Sequence, residues 1–250
     1  MTQSSIKQSE LDRSASEARK IVIKPVETER YMNPKADTPY PLEYAFYLLG
    51  NVHEKLVLDL GCGSGEEVIP LLRRGARVIG IDISPELIEI AKKRLEIHGL
   101  QGDMRVGSAY ETQLPEASVD VVFCMSLIHH LDIKRVRDEM LRILRPGGIL
   151  ILKEPIRFTR EYGWARSLFP AQEDVSDDEH PLTREELQLV QQGFESDGLR
   201  FFRLPLVPLA QRLAPAMTNA AFLFSSKVIT AFPAMSRYAT SAVVRLGKAN

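Results

Sequence analysis

The sequence predicts an α/β domain with a mostly parallel sheet and helices on both of its faces. Two observations carry this. Short apolar runs alternate with segments of helical periodicity from about residue 55 to residue 153. The first run, Val57-Leu58-Asp59-Leu60, enters a glycine-rich turn, Gly61-Cys62-Gly63-Ser64-Gly65, and the next, Val78-Ile79-Gly80-Ile81, ends on Asp82.

The elements follow in order. Residues 1–50 form an N-terminal cap segment: a polar start, a proline-punctuated aromatic loop over Tyr31–Pro41, and a short apolar helix over Leu42–Leu49. The core, residues 51–153, opens with a buried strand at Lys55–Leu60, a helix over Gly65–Arg74 and a strand at Arg77–Asp82. Ser84 then reads as an N-cap with Pro85 in the first helical turn, and Ile88, Ala91 and Leu95 give the helix an apolar face. Strands at Met104–Gly107 and Val119–Met125 precede a helix at Ile133–Leu144. Arg145-Pro146-Gly147-Gly148 turns the chain into a fifth strand, Ile149–Lys153.

Residues 154–182 are too long for an ordinary connection and read as a substrate loop. The C-terminal part, 183–250, opens on a capping box, Thr183-Arg184-Glu185-Glu186. Arg200–Arg203 and Ala239–Leu246 supply two last strands, and an apolar helical insertion, 204–236, lies between them. The whole chain, 1–250, reads as a single domain.

Composition narrows the function classes. The 250 residues carry 44% hydrophobic and 26% charged side chains, ordinary for a chain with a packed core. A net charge of −1 gives no footprint of a nucleic-acid binder. The two cysteines, Cys62 and Cys124, suggest no disulfide framework, and the polar N-terminus lacks the apolar stretch of a secretion signal, so a cytoplasmic location is expected. The charge is uneven: after Asp197 the tail carries +7 and no acid, which leaves −8 on residues 1–197. The longest charge-free run of the insertion, Leu213–Ser226, has 14 residues, short of the roughly 20 needed to cross a bilayer. A helical cap packed on the domain, or an apolar, basic surface through 204–236 that meets a membrane or a lipophilic substrate, is the expectation that remains.

The chemistry begins at the glycine turn. Glycines let backbone N–H groups approach a ligand, and the following helix aims its positive end there. Asp82, 21 residues after Gly61, can accept from both hydroxyls of a ribose. The dinucleotide pattern G-x-G-x-x-G is absent, since Glu66 stands where its third glycine would be. Asp59, just before the turn, suits a cationic ligand end and is poorly placed for a pyrophosphate.

With these residues, the Gly107-Ser108-Ala109 strand end, Val119-Asp120-Val121-Val122, Leu127-Ile128-His129-His130-Leu131 and Leu144-Arg145-Pro146-Gly147-Gly148 complete a series of motifs in order. The chain thereby resembles the class I methyltransferases that depend on S-adenosylmethionine (SAM), of the broad ubiquinone/menaquinone and small-molecule group. The resemblance spans about residues 55–153. It implies a Rossmann-like fold with seven strands, the last antiparallel, and a SAM site that releases S-adenosylhomocysteine (SAH). It further implies that Asp59 and the Gly61, Cys62, Gly63, Gly65 turn hold the methionine end, with Cys124 and Met125 lining it. Asp82 would hold the ribose, Ile83 pack on the adenine, and Ser108 and Ala109 meet the adenine edge. Ser108 is a departure, because many members carry an acid there.

Candidate catalytic residues are His129 and His130, not separable by sequence, and Glu154 at the end of the fifth strand; a base is needed if the acceptor is a hydroxyl or a carbon acid. Tyr31, Tyr40 and Trp164 are candidate acceptor contacts, against a plainer reading as packed aromatics. The acids from Glu173 to Glu179 show no metal-ligand spacing, and no metal site is assigned. The expected acceptor is a small, lipophilic organic molecule, methylated on oxygen first, with carbon or nitrogen on a quinone-like or natural-product substrate as alternatives. A non-catalytic SAM-fold binding protein and an NAD(P)-dependent oxidoreductase are the rival classes. Oligomeric state has no signal in the sequence.

Overall fold

The computed structural model describes residues 15–16, 18–158 and 180–249. Its strands are β1 (Leu56–Leu60), β2 (Arg77–Asp82), β3 (Asp103–Val106), β4 (Val119–Met125), β5 (Leu144–Pro155), β6 (Glu195–Phe202) and β7 (Ser241–Gly247). They form one seven-stranded sheet in the order β3-β2-β1-β4-β5-β7-β6. All neighbours from β3 to β5 pair in parallel, and β7 runs antiparallel to both β5 and β6. The strand order reverses between β1 and β4, the place where open α/β sheets bind ligands beyond the carboxyl ends of their strands.

The helices are α1 (Glu29–Met32), α2 (Pro41–Leu49), α3 (Val68–Arg73), α4 (Pro85–His98), α5 (Ile133–Ile143), α6 (Arg184–Gln191), α7 (Leu206–Leu213) and α8 (Thr218–Ala231). Strand side chains alternate between two cores. Val57, Val121, Phe123 and Ile151 pack with Phe46 of α2, Ile69 of α3 and Ala91 of α4. Leu58, Val122, Cys124 and Leu152 face the other way, against Val136 and Met140 of α5 and Val190 of α6. Helices therefore cover both faces, as expected. The alternation also decides which way polar residues at the strand ends face. Asp59, Met125 and Lys153 fall on the α2–α4 face, and Glu154 falls on the α5 face.

Local signals explain most boundaries. Ser84 caps α4 by accepting from Leu87 N at 3.2 Å, and Gly99 ends it with a left-handed φ of 62°. Thr183 and Glu186 form the expected capping box of α6. Three boundaries differ from the sequence reading by three residues or more. α3 begins at Val68 rather than Gly65, because residues 65–67 are spent turning the glycine loop. β6 begins at Glu195, five residues before the expected Arg200, because its ladder to β7 continues through a register shift between Ser196 and Gly198. β5 begins at Leu144, with the Arg145–Gly148 turn carried as a bulge opposite Val119 and Val121.

The insertion folds as α7 and α8, which share a small core of Val207, Ala221 and Phe222. The basic tail is largely drawn into the fold. Arg200 donates to Ala36 O, Arg245 pairs with Asp197, and Lys248 donates to the Leu141 and Leu144 carbonyls, so the +7 charge does not gather into one surface. Among the described residues no helix is long and apolar enough to cross a membrane.

Candidate functional site

Three glycines shape the turn after β1, with φ values of 75° at Gly61, 48° at Gly63 and 77° at Gly65. Two of them also admit close neighbours. A Cβ at Gly61 would lie 2.8 Å from Leu127 Cδ2, and one at Gly65 would lie 2.9 Å from Ala91 Cβ. At Gly63 a Cβ would meet nothing within 4 Å, so the turn faces open space there.

The glycine and cysteine N–H groups of this turn are used within the protein. Gly61 N and Cys62 N both donate to Ile81 O, Gly65 N donates to Cys62 O, and Gly63 N donates to Asp82 Oδ2 at 2.9 Å. This corrects the expectation that glycine N–H groups would be offered to a ligand. What the turn brings to the cleft is carboxylate. Asp82 Oδ1 accepts from Ser84 N at 2.9 Å, which fixes the acid at the end of β2. Asp59 is 2% exposed, and its Oδ2 is buried without a hydrogen-bond partner. Burial, then the fields of Glu67 and Asp82, pushes the Asp59 carboxyl well above the usual range. A cationic ligand end would supply the missing partner; a pyrophosphate would meet two acids and no free glycine N–H.

Arg94 of α4 locks the turn from behind, a residue that the sequence reading treated only as part of an amphipathic helix. Its side chain is 3% exposed, donates to Ser64 O at 2.8 Å and Ser64 Oγ at 3.2 Å, and pairs with Glu66 at 3.2 Å. Cys62 is buried behind the turn, where a Cβ at Gly80 would lie 2.9 Å from its Sγ. Ile83 is half-buried between β2 and α4. Ser108 and Ala109 follow β3; the Ser108 hydroxyl accepts from Tyr110 N at 3.2 Å, and Tyr110 Oη accepts from Asp132 N at 2.8 Å. The Cys124 thiol is fully buried on the α5 face, whereas Met125 packs on the α2–α4 face that carries Asp59.

The histidine pair sits in a short 3-10 turn, Ile128–His130, after β4, with ring centroids 3.8 Å apart. Glu154 organises this turn. It is 1% exposed; Oε1 accepts from Leu127 N and Ile128 N at 3.0 and 2.9 Å, and Oε2 lies 2.7 Å from His129 Nδ1. His129 Nδ1 is thus engaged by a carboxylate, and in a neutral ring with its proton on Nδ1 the lone pair lies on Nε2. Such an acid–imidazole pair can accept a proton from a nearby hydroxyl.

Tyr31 and Tyr40 point to different places. Tyr31 packs on Phe46 at 4.9 Å, and burial raises its hydroxyl pKa, with Glu67 and Glu66 adding to the rise. Tyr40 packs on Phe222 of α8 at 5.0 Å, and its hydroxyl donates to Asn219 at 3.3 Å, so it joins the N-terminal segment to the insertion. Trp164 lies outside the described residues, as do the acids from Glu173 to Glu179. Two cations complete the rim and were missed from sequence: Lys153 at the end of β5 and Arg203 just after β6.

Residues 58–152 match the sequence profile of the methyltransferase domain family. An uncharacterised methyltransferase of Mycobacterium tuberculosis strain H37Rv is 36% identical over 129 residues, covering 52% of this chain and 51% of the relative. A ubiquinone biosynthesis O-methyltransferase of Nitrosomonas europaea is 34% identical over 130 residues, covering 51% of this chain and 55% of the relative. The chain thus spans about half the length of the curated relatives that it matches. In fold it is similar to the geranyl diphosphate C-methyltransferase of Streptomyces coelicolor, with a TM-score of 0.64, 14% identity, and coverage of 97% of this chain and 98% of that one. The segment that carries the glycine turn and both site carboxylates, residues 58–152, is a domain of the class I SAM-dependent methyltransferase family.

Proposed function

We propose that this chain transfers a methyl group from SAM to a small organic acceptor, with oxygen as the first-choice acceptor atom. The observation that carries the reading is the buried, unpartnered Oδ2 of Asp59 beside a turn whose glycine N–H groups are spent. That combination fits the ammonium end of a methionine moiety and disfavours the nicotinamide alternative. Asp59 and the Gly61–Gly65 turn hold the methionine end, Asp82 holds the ribose, Ile83 and Met125 pack on the cofactor, and Ser108 and Ala109 meet the adenine edge. Cys62 and Cys124 contribute backbone and packing.

When bound, SAM supplies a sulfonium-activated methyl group and departs as SAH. The chain's own work is to position the acceptor, exclude water and take up a proton. His129 Nε2 accepts the acceptor's proton, Glu154 orients the ring through Nδ1, and His130 packs beside it. The N-terminal segment and the 204–236 insertion cover the acceptor side, where Tyr31 and Tyr40 line the rim.

The name of the Nitrosomonas relative favours oxygen, and that of the Streptomyces structure keeps carbon as the alternative. A peripheral membrane contact through 204–236 has a narrower basis, the exposed Leu213, Met217, Phe224 and Phe232; sedimentation with anionic liposomes tests it, and no binding at low salt excludes it. The enzymatic reading is tested with methyl-labelled SAM and a metabolite extract, followed by mass identification of products. A labelled small molecule is expected. Its absence, from a chain that binds SAH, would favour a non-catalytic binding protein.

A further inference from the structure

We propose that Arg203, with Lys153 beside it, forms an oxyanion subsite on the acceptor side of the cleft, so that the acceptor carries a carboxylate or phosphate group. This deepens the methyl-transfer reading and rests on it.

Arg203 follows the last residue of β6, at the same end of the sheet as the carboxyl ends of β1, β4 and β5. Its φ of 61° is left-handed, a conformation that costs energy in a residue with a Cβ. The fold holds it there through its carbonyl, which accepts from Thr240 N at 2.8 Å and Thr240 Oγ1 at 2.9 Å. The insertion covers the guanidinium: Gln211 of α7 accepts from Nη2 at 2.9 Å, and the Phe222 ring of α8 lies 6.0 Å from Cζ. Nε is buried and has no hydrogen-bond partner. Among the described residues no carboxylate lies within ion-pair distance of Arg203.

The other inward-facing arginines show how unusual this is. Arg94 is buried but pairs with Glu66 and donates to Ser64 and to the Lys24 carbonyl. Arg200 donates to Ala36 O and Ser226 Oγ and lies over the rings of Tyr44 and Phe202. Arg203 alone of the three keeps a buried donor unmade. Strained residues that a fold holds rigidly cluster at ligand sites.

Lys153 supplies the second cation. Its ammonium donates to Ser126 Oγ at 2.6 Å, and Ser126 is itself left-handed, with φ of 56°. Burial lowers the Lys153 pKa, the fields of Glu67 and Glu154 oppose that, and Arg203 adds to it, so the two cations sense each other across β7. An oxyanion between them would fill the orphaned Nε and relieve the repulsion, and the forked donors of arginine match its geometry.

The test is thermal unfolding of the full chain, at fixed ionic strength, with and without saturating SAH. The probes are benzoate, phenyl phosphate and the neutral benzamide. One or both anions are expected to raise the wild-type Tm while benzamide does not, and the stronger of the two identifies the oxyanion. Arg203→Gln should weaken the anion response by about tenfold or more while SAH still binds, and Arg203→Lys should fall between. If Arg203→Gln fails to fold, Lys153→Met is read in the same way. An absent anion response, an equal response in the variant, or an equal response to benzamide would overturn the proposal. The SAH-free arm keeps this separate from the cofactor: anion binding without SAH binding would instead contradict the methyl-transfer reading.

Discussion

Leu127 lies over Gly61, so close that a Cβ on the glycine would sit 2.8 Å from the leucine Cδ2. The turn that carries the histidines is therefore packed directly on the glycine turn, the proposed cofactor site. Gly61→Ala combines this clash with a left-handed φ and should cost about 2–4 kcal/mol, from backbone strain and overpacking together. Gly63→Ala meets no neighbour and should cost only about 1–2 kcal/mol of strain. Yet Gly63 faces the open space where the proposed cofactor lies, so its alanine variant should lose SAH binding out of proportion to its small stability loss. Chemical denaturation and calorimetry on both variants check the pair; SAH binding retained in Gly63→Ala would place the ligand elsewhere.

Asp59 gives a prediction with a worked sign. Its carboxyl titrates higher in the folded chain than in the unfolded one, because of burial and the neighbouring acids. Above the ordinary carboxylate range the unfolded state has released a proton that the folded state still holds, so stability falls as pH rises through that window. Asp59→Asn removes this loss. The ligand-free variant should be more stable than the wild type at neutral pH, with the gap shrinking as pH falls toward the ordinary value. The same variant should lose most of its SAH affinity. Melting curves across pH, with and without SAH, separate the two effects; a destabilised ligand-free variant would contradict the account.

Arg94 should matter although it touches no ligand. Arg94→Met keeps much of the buried stem but removes the bonds to Ser64 and the pairing with Glu66. A loss of about 1–3 kcal/mol in stability and about tenfold in SAH affinity is expected. Unchanged affinity, measured by calorimetry on the folded variant, would show that the turn holds its shape without the clamp.

His129 and Glu154 are distinguished kinetically once an acceptor is known. His129→Ala should lower kcat by about 10²–10⁴-fold with SAH affinity nearly unchanged, as expected for loss of a general base. Glu154→Gln leaves an oxygen for Leu127 N and Ile128 N but removes the charge beside Nδ1, so a smaller fall is expected. Full rate in both variants across pH would exclude the proton-transfer role.

What the sequence showed, and what it hid, divides along physical lines. The β1 run, the glycine turn and Asp82 were legible because burial, positive φ and a strand end each demand particular residue types at short spacing. So were the caps at Ser84 and Thr183, whose chemistry is local. The roles of Arg94, Lys153 and Arg203 were not legible. A charged residue on a helix or at a strand end ordinarily reads as solvated, and only the topology brings Arg203, 50 residues later, to the rim occupied by Lys153. The direction of the glycine N–H groups was also hidden, since the same turn can offer its donors to a ligand or to Ile81 and Asp82. The two tyrosines of the N-terminal loop looked equivalent, yet Tyr31 packs on Phe46 and Tyr40 on the insertion.

The most direct measurement is calorimetric titration of the purified chain with SAH and, separately, with NADH, repeated on Asp82→Ala. The account predicts one SAH bound per chain, no NADH binding, and SAH affinity at least about tenfold weaker in the variant, from loss of the charge-assisted ribose hydrogen bonds. NADH binding without SAH binding, or SAH binding unaffected by Asp82→Ala in a folded protein, would contradict it.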